Sequence, residues 1–141
     1  MEAKKTKILL IDDNDIIRIM FSNIFGLHGL DEQFELTTVA RVEEARMRLD
    51  DPATRPDVIF MGLVMPFEKD GRTVTSAEAG FSVLKEVKEN ATLSYIRIII
   101  LSGYQDEEFQ KKALEMGAER YLKKSESMPQ DILEVIRSLH P

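Results

Sequence analysis

A chain of 141 residues, 43% apolar and 31% charged, is the size of one globular domain with an ordinary composition. Its net charge of −6 argues against a basic nucleic-acid footprint, and the lack of cysteine rules out a disulfide frame or a thiolate metal site. The opening MEAKKTKILLIDDND is basic, but its apolar run is too short for a signal peptide or a membrane span and ends on two aspartates. A cytoplasmic domain with neither a nucleic-acid nor a membrane partner is expected.

In chain order, Lys7–Ile11 (KILLI), Val58–Met61 (VIFM) and Ile96–Leu101 (IRIIIL) are short β-branched apolar runs, suited to strands buried on both faces. Phe34–Val39 (FELTTV) and Arg120–Lys123 (RYLK) are weaker strand candidates. Between them lie stripes at helical spacing. The first is Ile16, Ile17, Met20, Phe21, Ile24 and Phe25, and the second is Val42, Ala45 and Leu49. Phe81, Leu84 and Val87 form a third; Phe109, Ala113 and Met116 a fourth; Ile132, Leu133, Ile136 and Leu139 the last. Asp106 is an N-cap candidate for the fourth helix, and Gly117 reads as its C-terminal cap. Strict strand–helix alternation predicts an α/β fold: one doubly wound, five-stranded parallel sheet with five helices, in a single domain over residues 1–141.

The connection from Pro66 to Gly80 (PFEKDGRTVTSAEAG) breaks the rhythm. It is expected to be loop at first and helix from about Ser76, which offers an N-cap ahead of an acidic first turn. An exposed mobile flap is the plainer expectation for it.

In doubly wound sheets the functional crevice lies beyond the carboxyl ends of the strands. Those ends carry Asp12–Asp13, Gly62, Ser102–Gly103 and Lys124. Adjacent carboxylates suit a hard cation such as Mg²⁺, although Asp13 or Asn14 capping the next helix accounts for the same residues. The Ser102 hydroxyl can bond a phosphoryl oxygen or serve a turn. Lys124 can neutralise phosphate, pair with Asp12 or Asp13, or stay solvated. Tyr121 reads as half-buried packing. Neither His28 nor His140 has a base or metal partner in the sequence.

Taken in order, LLIDDN, PDVIFMGLVMP, IIILSG and GAERYLKK resemble the receiver domains of two-component response regulators over nearly the whole chain. The resemblance implies that Asp12 and Asp13 hold Mg²⁺, that Ser102 and Lys124 contact the phosphoryl group, and that Tyr121 is the switch aromatic. It also implies a phosphate-accepting aspartate where this chain has Gly62. Glycine has no side chain to attack phosphorus or bind metal, so phosphotransfer is expected to be absent and Mg²⁺ binding weak. Ser125 stands where the family has a proline after its lysine, and a trans bond is expected there. The Pro66–Gly80 connection is longer than the family's. One hypothesis is that Glu68 or Asp70 folds inward beside Asp13 and Lys124.

The first functional reading is a stand-alone pseudo-receiver with output through protein contact. Its implied partners are a histidine kinase, a phosphotransfer protein or a downstream effector. A homodimer through the face of the fourth helix, fifth strand and fifth helix is also implied. The second reading is an ordinary phosphorelay receiver carrying an engineered aspartate-to-glycine change. A third, a flavin- or nucleotide-binding enzyme, is disfavoured because Asp12-Asp13-Asn14-Asp15 would repel phosphate where a glycine-rich loop is needed.

Overall fold

The computed structural model describes residues 5–103, 107–124 and 129–139. Five strands form one parallel sheet: β1 (Thr6–Ile11), β2 (Phe34–Val39), β3 (Val58–Met61), β6 (Arg97–Ser102) and β7 (Arg120–Lys123), in spatial order β2-β1-β3-β6-β7. Five helices accompany them: α1 (Asp15–Leu27), α2 (Val42–Asp50), α3 (Glu78–Glu89), α4 (Glu107–Glu115) and α5 (Gln130–Ser138). The expected fold class is therefore observed.

The central strands are apolar on both sides because both faces are covered. Ile8, Leu10, Phe60, Ile99 and Leu101 pack under α1 and α5. Leu9, Ile11, Ile59, Ile98 and Ile100 pack under α2, α3 and α4. Each fully buried side chain of this kind contributes roughly 1.5–3 kcal/mol before the entropy of ordering is subtracted. Strand identity follows from this two-sided burial, which a period-two amphipathic strand would not tolerate.

Three expectations need correction. The segment after β3 is not a loop: β4 (Met65–Lys69) and β5 (Arg72–Ser76) form an antiparallel hairpin. Its two-residue turn is Asp70-Gly71, with φ of 52° and 78°, the left-handed pair that a type I′ turn requires. Met65, Phe67 and Val74 pack on the core beside α2 and α3. Ser76 does not open the next helix directly. Ala77 holds the cap position, and the Ser76 hydroxyl accepts from the Glu78 N–H at 3.2 Å. Ile16 leaves the first stripe: it is 75% exposed, because the buried face of α1 runs through Ile17, Phe21, Ile24 and Phe25.

Gly117 ends α4 as expected. Its φ is 109°, its N–H bonds the Leu114 carbonyl, and the Ala118 N–H reaches back to Ala113 at 3.0 Å, the paired bonds of a Schellman cap. Asp106, Ser125 and His140 lie outside the described residues.

Candidate functional site

The parallel ladder brings the carboxyl ends of β1, β3, β6 and β7 to one rim. Asp12 extends β1, and its N–H donates to Val39 at 3.1 Å. Gly62 extends β3, with its N–H donating to Ile11 at 3.1 Å. Ser102 closes β6 and is buried, and its carbonyl accepts from the Lys124 N–H at 2.8 Å. Asp12, Gly62, Ser102 and Lys124 thus meet at one crevice, as the strand order demands.

The two aspartates part company. Successive residues of an extended chain point to opposite sides, so only one can face the crevice. Asp12 is 1% exposed; Asp13 is exposed. Asp12 Oδ1 accepts from the Asn14 N–H at 2.9 Å, and Oδ2 lies 2.7 Å from Lys124 Nζ. This second contact is an ion pair by distance, but Oδ2 accepts no aligned hydrogen bond among the described residues. The ammonium therefore acts on Asp12 mainly as a nearby charge, which offsets the cost of burying a carboxylate. Asn14 caps α1, its side-chain oxygen accepting from Ile16 N–H at 2.8 Å and Ile17 N–H at 3.4 Å. Capping thus falls to Asn14, while Asp12 takes the crevice and the lysine.

Gly62 is buried, and its backbone does not require glycine, since its φ is not in the left-handed region. A Cβ there would meet Leu101 O at 3.6 Å, Asp12 Oδ2 at 3.7 Å and Met65 Cγ at 3.7 Å, all ordinary contacts. The crevice therefore has room for the start of a side chain that the chain does not supply.

The glycine that packing does demand is Gly80, in the first turns of α3. A Cβ there would lie 2.6 Å from both the Gly62 carbonyl oxygen and Leu63 Cα. The Gly80 N–H also donates to the Leu63 carbonyl at 3.0 Å, so α3 rests directly on the backbone beside Gly62. In the sequence Gly80 reads as the end of the Pro66–Gly80 connection. The missed signal was a glycine inside a helical stripe, which costs about 1 kcal/mol unless close approach repays it.

Glu68 and Asp70 do not fold inward. Glu68 is exposed and lies 3.7 Å from Arg41, and its carboxylate accepts from the Thr73 hydroxyl at 2.7 Å. Asp70 occupies the exposed turn. The inward-folding hypothesis therefore fails, and Lys124 is paired with Asp12, one of the pairings the sequence offers. Tyr121 is half-buried against the α2–α3–α4 side of the core, in line with its packing role.

Mg²⁺ fits this donor set poorly. Among the described residues no three acidic or histidine side chains gather as a cation site. Of the Asp12–Asp13 pair, Asp12 Oδ1 accepts from the Asn14 N–H and Oδ2 faces the Lys124 ammonium, while Asp13 is exposed. A cation at Asp12 Oδ2 would stand against the positive charge of the lysine.

The model of the response regulator receiver domain matches residues 8–137. Chemotaxis protein CheY of Halobacterium salinarum is 31% identical over 125 residues, covering 87% of this chain and 88% of that protein. Oxygen regulatory protein NreC of Staphylococcus haemolyticus is 30% identical over 129 residues, covering 92% of this chain but 52% of that protein. The chain thus spans about half the length of relatives of that kind. Among solved structures, the phosphorylated cyanobacterial phytochrome response regulator RcpA superposes with a TM-score of 0.71 at 27% identity, over 96% of this chain and 91% of that one. With the strand order, the rim residues and the match over residues 8–137 in agreement, the chain belongs to the response-regulator receiver family.

Proposed function

We propose that this receiver is a signalling and interaction module that takes no phosphoryl group at position 62. The observation that carries the reading is the pairing of Lys124 with Asp12 next to a residue with no side chain. An acceptor must offer a nucleophilic oxygen, and Gly62 has none. The cation that would neutralise an incoming phosphoryl group is engaged by a buried carboxylate. The crevice is electrostatically settled without a ligand, so no enzymatic turnover follows from it and Mg²⁺ binds weakly. Output then runs through protein contact. A histidine kinase, a phosphotransfer protein or a downstream effector is the partner, and the α4–β7–α5 face, with half-buried Tyr121 and exposed Leu114, is its docking surface. The described helices include none long and apolar enough to cross a membrane, which supports a cytoplasmic setting.

A second reading is favoured by the space at Gly62. An ordinary phosphorelay receiver whose aspartate has been replaced would keep room for the missing side chain, and a Cβ is accommodated at 3.6–3.7 Å.

Incubation of the chain and of Gly62→Asp with acetyl phosphate and Mg²⁺, read by intact mass, tests both. The unaltered chain is expected to gain no phosphoryl group, and a labelled chain sinks the proposal. Labelling of Gly62→Asp alone supports the replaced-acceptor reading. A Gly62→Asp protein that folds yet stays unlabelled supports degeneracy of the whole crevice.

A further inference from the structure

The β4–β5 hairpin has two outer edges, and only one is protected. In an antiparallel pair, positions alternate between those that bond across the ladder and those whose N–H and C=O point away from it. The Asp70-Gly71 turn makes Lys69↔Arg72 the closing bonded pair, followed inward by Phe67↔Val74 and Met65↔Ser76. The outward-pointing positions are therefore Glu68 and Pro66 on β4, and Thr73 and Thr75 on β5.

On β4 both are closed to a further strand. Pro66 has no N–H to offer, and the Glu68 N–H donates to the Glu43 carboxylate of α2 at 3.2 Å. On β5 nothing equivalent is present. Thr73 and Thr75 are exposed, and among the described residues their backbone groups make no hydrogen bond beyond the hairpin. Arg72-Thr73-Val74-Thr75-Ser76 contains no proline, no bulge and no acidic residue, and three of its members are β-branched.

We propose that β5 is a strand-addition edge whose occupant is β5 of a second copy of this chain, paired antiparallel about a two-fold axis at Val74. The alternation requires outward positions to oppose each other, and the register centred on Val74 is the one that pairs both threonines of each copy. Thr73 of one copy faces Thr75 of the other and exchanges both of its backbone bonds, and the axis repeats this at the second pair. Val74 meets its own copy on the core-facing side, and Arg72 meets Ser76. No like charges are opposed, which makes the edge complementary to itself. Two hairpins become one four-stranded antiparallel sheet. The pairing surface is thus β5, not the α4–β7–α5 face. An edge this short covers less than a standard interface, so association is weak, with a dissociation constant on the order of 0.1–1 mM.

Sedimentation velocity from about 10 μM to 1 mM, with ¹⁵N-resolved amide spectra over the same dilution series, tests the pairing. Expected is a concentration-dependent dimer in which the Thr73 and Thr75 amides shift and gain exchange protection, while the inward-bonded Phe67 and Val74 amides keep theirs. Thr75→Pro copies onto β5 the protection Pro66 gives β4, at a position that donates nothing across the hairpin. It is expected to weaken the dimer at least tenfold, the loss of two of its four bonds. A chain monomeric at 1 mM overturns the proposal. So do concentration-dependent shifts confined to Leu114, Tyr121 and α5, or a folded Thr75→Pro protein that dimerises unchanged.

Discussion

Lys124 Nζ lies 2.7 Å from Oδ2 of Asp12, a carboxylate 1% exposed, and the pair sits beside Gly62, which has no side chain. The lysine supplies the positive charge that makes burial of Asp12 tolerable. Its removal leaves an uncompensated buried anion, which costs more than the pair itself gains.

Lys124→Met is therefore expected to destabilise the fold by about 3 kcal/mol, read as a lower urea midpoint at unchanged slope. Asp12→Asn should cost less, because a neutral amide keeps an acceptor for the Asn14 N–H and needs no counter-charge. The two changes should not add, since each removes the same pair. A Lys124→Met protein as stable as the parent would show that the contact does not hold Asp12 in place.

Two lysines respond to burial and pairing in opposite ways. Burial lowers the pKa of Lys88 from its ordinary 10.5; its ammonium donates to Ile96 O at 2.6 Å and Ser94 O at 3.2 Å. The hydrogen bond to Glu78, and then its charge, raise that of Lys69. For Lys88 the unfolded chain binds more protons between the folded value and 10.5, so its contribution to stability rises with pH across that window. For Lys69 the contribution is present below 10.5 and is lost as pH rises through the folded value. In an NMR titration of lysine side chains, Lys88 is expected to deprotonate before Lys69. Glu78→Gln should bring Lys69 down and leave Lys88 in place.

The limits of Val58–Met61, Phe34–Val39 and Arg120–Lys123 were legible residue for residue, although only Val58–Met61 is an unbroken apolar run. The rim was legible because a parallel sheet sends every strand's carboxyl end to one side, so strand order alone gathers Asp12, Gly62, Ser102 and Lys124. Which aspartate meets the lysine was not legible, since only the direction of each side chain decides it. The hairpin was missed although its turn was written in the chain. Asp70-Gly71 is a type I′ signal, but Pro66 argues against a strand, and Lys69 and Arg72 stand where the alternation of Met65, Phe67 and Val74 calls for apolar residues. Pro66 proves compatible because it occupies an outward position of an outer edge.

Glu43 is the residue that closes that edge. Its Oε1 accepts the Glu68 N–H at 3.2 Å, while Oε2 is buried without a hydrogen-bond partner among the described residues. Glu43→Ala is expected to cost about 1 kcal/mol through the exposed Glu68 amide, and Glu43→Gln less, because an acceptor remains. Amide exchange provides the local readout. Glu68 should lose protection in Glu43→Ala while the amides of β1 and β3 change only with global stability.

Gly62 and Gly80 face each other across one backbone contact, yet they make opposite demands on packing. At Gly62 the φ is not left-handed and a Cβ meets nothing nearer than 3.6 Å, so Gly62→Ala should be neutral or stabilise by up to about 1 kcal/mol through the unfolded chain. At Gly80 a Cβ would stand 2.6 Å from the Gly62 carbonyl oxygen and from Leu63 Cα, and neither is a flexible side-chain end that can swing away. Gly80→Ala must therefore push α3 off the strand, at a cost of about 2–3 kcal/mol by overpacking. Denaturant midpoints for the two variants, measured side by side, give the comparison. If Gly62→Ala is the more damaging of the two, glycine at 62 serves the fold itself. If it is the milder, packing leaves position 62 free to carry a side chain, and glycine there is not a requirement of the fold.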